Sequence, residues 1–284
     1  LLSMPRLVDW TFDAVSDFNC KSQSGYDKEV LRYIHAKYEP LVPNLYELDV
    51  FQMFSYIHLY TTWRSSNVLG ITQYALSTRI LPKMKALADV MDEIQWNSRL
   101  DPYNHTPHFP KYVTGMVDTM PIYVQAPTDP FMHSCLYNGK YKRCCWKVQL
   151  GCSFLGDIIV FTGPHIGSKY DGHIWLDTAA YHPTQPWERI LGDGHYIANR
   201  DCLCTTKYPP NGNLTLHQHY TNKVISHYRS RVEQINAFFK SHSMFRQSFR
   251  GTPQTLASAL YLTAHASNIV LKTRVRYLPY GPWT

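Results

Sequence analysis

The chain has 284 residues, 44% of them hydrophobic, which is enough to bury one large core or two modest ones. Its 21 Tyr, 12 Phe and 7 Trp exclude a disordered tail, and its most apolar stretch, 256–271, is too short and too polar to span a bilayer. Charge is unevenly placed: residues 1–101 carry a balance of −2 and residues 102–284 one of +9, which suits a polyanionic partner or simply a basic, soluble surface.

Residues 1–45 show little periodicity and read as an irregular lead-in. From Asp49, "DVFQMFSYIHLYTTW" has apolar residues at helical spacing. The polar turn "RSSNVLG" then leads into a second helical stretch near Thr72, which Pro82 should kink or divide. Helix, turn and helix outline a candidate helix-turn-helix, or any helical hairpin. The turn formers of "DPYNHTPHFP" place a boundary between a helical region, 1–100, and a mixed domain, 101–284. In that domain "YVTGMVDTMPIYV", "CCWKVQLGCSF" and "DIIVFTGP" read as strands, the last two joined as a hairpin. A helix over "DGHIWLDTAAYH", short strands at "ERILGDGHY" and "DCLCTTKYPP", and a long helix over 215–241 complete an α/β pattern with a mixed sheet.

Seven cysteines without paired C-x-x-C spacing indicate reduced thiols inside a cell rather than a zinc site. The sequons at Asn104 and Asn213 carry little weight, since such triplets arise often by chance. "LHQHY" sets His217 and His219 two apart, wrong for one helix face, and His165 and His173 read as loop histidines flanking Asp171. Phosphate-loop and serine-hydrolase signatures do not occur.

The long helix contains the most informative residue. Glu233 is the only acid between Cys202 and Thr284, a stretch that holds ten Lys or Arg. Ile225, Tyr228, Val232, Ile235 and Phe239 form its apolar stripe, and Asn222, Ser226, Arg229, Glu233, Asn236 and Lys240 a polar band at the margin. Glu233 is thus either a partner of Arg229, one turn earlier, or a metal ligand facing the sheet. Asp118, within the first strand, and Asp193, at a later strand end, are placed to face it. Two aspartates and a glutamate in a basic domain suit hard cations such as Mg²⁺, a pair of which can clamp both oxygens of a phosphodiester displacement.

These residues resemble a known pattern. Asn222, Ser226, Arg229, Val232, Glu233 and Lys240 match the segment around the last acid of Harbinger-type DDE transposases. "MVDTMPIYV", "YNGKYKRCCWKVQL", "GSKYDGHIW" and "ILGDGHY" are similar, in order, to the family's other motifs, and Asp193 and Glu233 are 40 residues apart, in keeping with it. The resemblance covers roughly residues 112–240. Gly194 and His195 depart from it, since the family commonly has Lys then Gly after its second Asp.

The resemblance implies an RNase H-like fold in which Asp118, Asp193 and Glu233 bind two Mg²⁺ or Mn²⁺ ions. It further implies support from Asp171, Asn222 and Arg229, and cutting and joining of DNA in a nucleus. Lys140, Lys142, Arg229, Arg231 and Lys240 are the cations expected near DNA phosphates. A domesticated module that binds DNA or a protein, or pairs with itself, without cutting is the alternative; a membrane partner is not expected.

Overall fold

The computed structural model describes residues 10–60, 71–102, 110–209 and 212–275. The chain divides into two compact units: Leu1–Glu93 with Phe239–Thr284, and Ile94–Phe238. The boundary expected at residue 101 left everything after it with the mixed domain; instead the described residues 239–275 belong to the helical unit. That expected boundary itself, within "DPYNHTPHFP", lies largely outside the described residues.

The first unit is helical. The irregular lead-in expected over residues 1–45 is corrected: α1 (Asp17–Ser24) and α2 (Lys28–Tyr38) occupy much of it. Their caps explain them. Ser16 accepts the Asn19 N–H at the start of α1, and Gly25 at φ 82° ends it in the left-handed conformation. Next come α3 (Glu47–Leu59), then α4 (Gln73–Ala75), a π turn at Leu76–Ile80 and α5 (Leu81–Val90). Pro82 stands in the first turn of α5, where its missing N–H costs least, and the wide turn just ahead accommodates its ring. The turn of the expected helix-turn-helix falls outside the described residues.

Asp49 on α3 is fully buried, and Lys83 of α5 holds its carboxylate at 2.6 Å. After the long helix that ends at Ser241 the chain adds α9 (Ser243–Arg246) and α10 (Pro253–Val275). Leu256, Ala259, Leu260, Leu262 and Ala264 of α10 are all buried, and α2 and α5 supply the apolar cover. The buried apolar face of α10 needs that cover, which places the segment here rather than on the sheet.

The second unit is built on six strands: β1 (Val113–Tyr123), β2 (Tyr137–Asn138), β3 (Arg143–Cys152), β4 (Ile158–Ile166), β5 (Arg189–Gly192) and β6 (Cys202–Cys204). Helices α6 (Pro130–Leu136), α7 (Asp171–Tyr181) and α8 (Leu216–Ser241) accompany them. β1 lies between β3, antiparallel to it, and β5, parallel to it; β4 extends the antiparallel side and β6 the parallel side. This is the RNase H-like arrangement. Each strand expected from the sequence is present, as is the hairpin, closed by Ser153 N–H donating to the Asp157 carbonyl at 2.9 Å.

β1 is buried along nearly its whole length, as a central strand must be. Its pairing with β5 runs only from Val113 to Met116. Beyond that, one edge of β1 has no strand beside it among the described residues, and Pro121 can sit there without breaking a ladder on that side. The register Met116↔Leu191 is parallel, so two residues further on Asp118 and Asp193 come alongside each other.

One buried ion pair holds that register. Arg99, in the 3₁₀ turn Trp96–Leu100, and Glu188, just before β5, are both fully buried, and the guanidinium donates to both carboxylate oxygens, at 2.5 and 2.7 Å. The Thr114 hydroxyl of β1 and the Gln185 N–H also donate to Glu188, and the Arg99 guanidinium stacks 3.8 Å from the Trp96 ring centroid. Removing one partner strands the other charge. Arg99→Met should therefore destabilise the protein by about 3–5 kcal/mol in chemical denaturation. A loss below about 1 kcal/mol, the worth of an exposed pair, would remove this anchor from the account.

Candidate active site

Asp118 projects from β1 toward α8. Its side chain is only 21% exposed, and it meets that helix at two points. Asn236 Nδ2 donates to Oδ2 at 2.9 Å, and an Arg229 amino group stands 3.7 Å from Oδ1. Arg229 and Asn236 are seven residues apart, two helical turns, so they share one face of α8. The expected apolar stripe lies beside it: Ile225, Val232, Ile235 and Phe239 are buried, while Tyr228 is half-buried.

Burial raises the Asp118 pKa to about 6, because desolvation penalises the charged form. Arg229 and the Thr119 N–H pull it back, and the charges of Asp193 and Asp171 push it further up. Three carboxylates therefore act on one another here. Asp193 follows β5 and caps the short 3₁₀ turn Gly194–Tyr196, its Oδ1 accepting the His195 N–H at 2.8 Å. Gly192, just ahead of it, lies under the buried Tyr196 ring, where a Cβ would come within 2.9 Å. The tight β5–turn geometry that delivers Asp193 thus requires glycine at that position.

Asp171 opens α7. Lys147 of β3, itself buried, donates to Asp171 Oδ1 at 2.8 Å and to the Lys169 carbonyl at 2.7 Å. Lys147 escaped the sequence reading, although a lysine amid the apolar run "CCWKVQL" was its signal. Asn236 had been seen only as one member of a polar band.

Glu233 stands otherwise. Its side chain is 60% exposed, with Arg229 3.9 Å away. The reading of Glu233 as tucked at the buried margin is corrected: the next position of the band turns to solvent, while Arg229 takes the partly buried place between Asp118 and Glu233. Among the described residues no three His, Cys, Asp or Glu side chains are gathered closely enough to hold a metal ion. The oxygen donors nevertheless suit a hard divalent cation: desolvation, and after it the charges of Asp193 and Asp171, disfavour an ionised Asp118, and a bound cation would offset all three.

The family can now be stated. Residues 117–268 match the DDE superfamily endonuclease family, a span that contains Asp118, Asp171, Asp193 and Glu233. The chain belongs to the DDE superfamily endonucleases. No curated protein and no solved structure matches it.

Other expected residues of this endonuclease domain lie apart from the carboxylates. Asn222 clasps Thr206, accepting its N–H and donating to its carbonyl, each at 2.8 Å. Its role is to tie the segment after β6 to α8, which corrects the expectation that it supports the acids directly. Lys142 is exposed in the turn before β3, Arg231 leans on Gln234 at 3.4 Å, and Lys240 belongs to the helical unit. His165 bonds Thr162 at 3.1 Å, and burial lowers its pKa.

A linkage prediction follows from Asp118. Its folded pKa, about 6, exceeds the ordinary 3.8, so its ionisation opposes folding at neutral pH, and that penalty fades as pH falls from 6 toward 4. Asp118→Asn should raise metal-free stability at pH 7.5, by at most on the order of 3 kcal/mol. The gain should vanish near pH 4. Thermal melts across pH check this, and a variant less stable than wild type at pH 7.5 would contradict it.

Proposed function

We propose that this protein is a transposase-derived endonuclease of Harbinger type that cleaves and rejoins DNA phosphodiesters with divalent metal ions. The observation that carries the reading is Asp118: a central-strand carboxylate, desolvated, alongside Asp193, inside the span matched by the family. Asp118, Asp193 and Glu233 are the residues that would hold Mg²⁺ or Mn²⁺; a pair of such ions, when bound, would supply activation of the attacking water or 3′-hydroxyl and charge neutralisation at the leaving oxygen.

The chain's own residues have separate tasks. Asn236 fixes the orientation of the Asp118 carboxylate, and Arg229 offsets its charge before cation and substrate arrive. Asp171, held by Lys147, keeps a further negative charge close to Asp118. Lys140, Lys142 and Arg231 meet DNA phosphates, so affinity should fall steeply with salt, each neutralised phosphate adding about −0.9 to the log–log slope. Nuclear localisation belongs to the same proposal, as that is where such a substrate lies.

A second reading rests on a specific observation. Glu233 points outward and Arg229 stands between it and Asp118, an arrangement that also suits a domesticated module binding DNA without cutting it. Plasmid nicking separates the two. Under the first reading, purified protein nicks supercoiled DNA with Mn²⁺ or Mg²⁺ but not with EDTA, and Asp193→Asn abolishes it. DNA binding without any nicking would establish the second.

Glu233 has its own test. An exposed pair with Arg229 contributes no more than about 0.5 kcal/mol, so Glu233→Gln should leave the metal-free melting temperature nearly unchanged. Wild type should gain roughly 2.7 kcal/mol at a hundredfold excess of Mn²⁺ over its Kd. The variant should lose most of that gain. Equal Mn²⁺ shifts in both proteins would show that Glu233 is no ligand.

A further inference from the structure

On the face of the sheet opposite Asp118 lies a cavity of about 190 Å³. Thr119 and Pro121 of β1 line it, and adjacent strand residues point to opposite faces, so Asp118 does not. The remaining wall includes Tyr141, Tyr170, Lys140 and Lys147. This lining is not that of an apolar void.

Lys147 is the most telling of them. It is 7% exposed, and two of its three N–H donors are taken, by Asp171 and by the Lys169 carbonyl. A third donor remains on a buried ammonium that lines the cavity. Lys140 lines the cavity too, with its ammonium 5.5 Å from the Tyr141 ring centroid. Cationic donors thus share the space with two phenol rings, one of them (Tyr141) half-buried and raised by burial to a pKa of about 12. Asp171 lines the cavity as well, and its charge reaches Asp118, so cavity and carboxylates are neighbours across the sheet.

Anion donors beside aromatic faces match the chemistry of a nucleotide in an unpaired strand, whose phosphate needs cations and whose base stacks on rings. We propose that this cavity receives one unstacked nucleotide of the DNA strand, with Lys140 and Lys147 meeting its phosphate and Tyr141 and Tyr170 its base. The inference rests on the nuclease reading above and extends it: the strand passes the carboxylates and places a neighbouring nucleotide on the α7 face. Extruding a base costs least where the strand is already unpaired or mismatched, so cleavage should favour such sites.

Photo-crosslinking tests this with the full chain. The probe is a short single-stranded oligonucleotide carrying 5-iododeoxyuridine, and the adduct is mapped by mass spectrometry. The expected adduct is on Tyr141 or Tyr170, and it survives an excess of inorganic phosphate. Tyr170→Leu and Lys140→Ala should each weaken oligonucleotide binding roughly tenfold. Adducts confined to other residues, while metal-dependent nicking persists, would overturn the cavity alone. Loss of the tyrosine adduct to inorganic phosphate would show an anion site and no nucleotide subsite. Wild-type protein that neither binds nor nicks DNA would overturn the nuclease reading itself. The wild-type adduct map decides even if a variant fails to fold.

Discussion

The Arg99–Glu188 pair is the constraint on which the sheet's working end depends. Two opposite charges with no exposure must be satisfied where they are buried, and here the satisfaction is nearly complete. Glu188 receives Arg99, Thr114 of β1 and the Gln185 N–H, so the entry to β5 is fixed to the entry of β1. Once Met116 pairs with Leu191, the parallel register leaves little freedom over the positions of Asp118 and Asp193. A slip of one residue would turn each side chain to the other face. The acids' mutual repulsion opposes that placement, and the buried pair and the apolar faces of β1 hold it.

Around the acids the protein distributes charge in layers. Arg229 approaches Asp118 from the helix, and Lys147 holds Asp171 from the neighbouring strand. Beneath them lies a buried polar network: the Thr119 hydroxyl meets the Tyr196 hydroxyl at 2.6 Å, and Gln149 joins Tyr196 to Thr178 at 3.3 and 2.8 Å. Such networks are rigid when every member has a partner. This one ties β1, β3, α7 and the turn after Asp193 into one block, so the two faces of β1 are mechanically joined. Asp118 occupies one face, and the tyrosine- and lysine-lined cavity, with Asp171 in its wall, the other.

Much of this was legible in the chain. The strands announced themselves through β-branched alternation and turn residues, and α8 through its apolar stripe. Asp118 and Asp193 stood out as acids at a strand centre and a strand end, and Glu233 as a lone acid among cations. These are local signals, set by the periods of strand and helix and by charge, which the sequence carries without reference to distant residues.

What the sequence did not carry was set by partners far along the chain. Of the helices over 17–38, α1 has weak periodicity and forms because Ser16 and Gly25 cap it and α3 covers it, whereas α2 carries a clear stripe, Val30, Leu31, Ile34 and Tyr38, that the reading of an irregular lead-in overlooked. The segment 253–275 fell within the expected mixed domain, 101–284, but its buried apolar face finds its helical cover in the first unit. Glu233 and Arg229 are equal members of a polar band in the sequence. Only the approach of α8 to Asp118 decides that the guanidinium, long and multiply donating, takes the partly buried place while the shorter carboxylate faces water. Period and charge determined which residues could form a site; the packing of elements distant in sequence decided which of them meet.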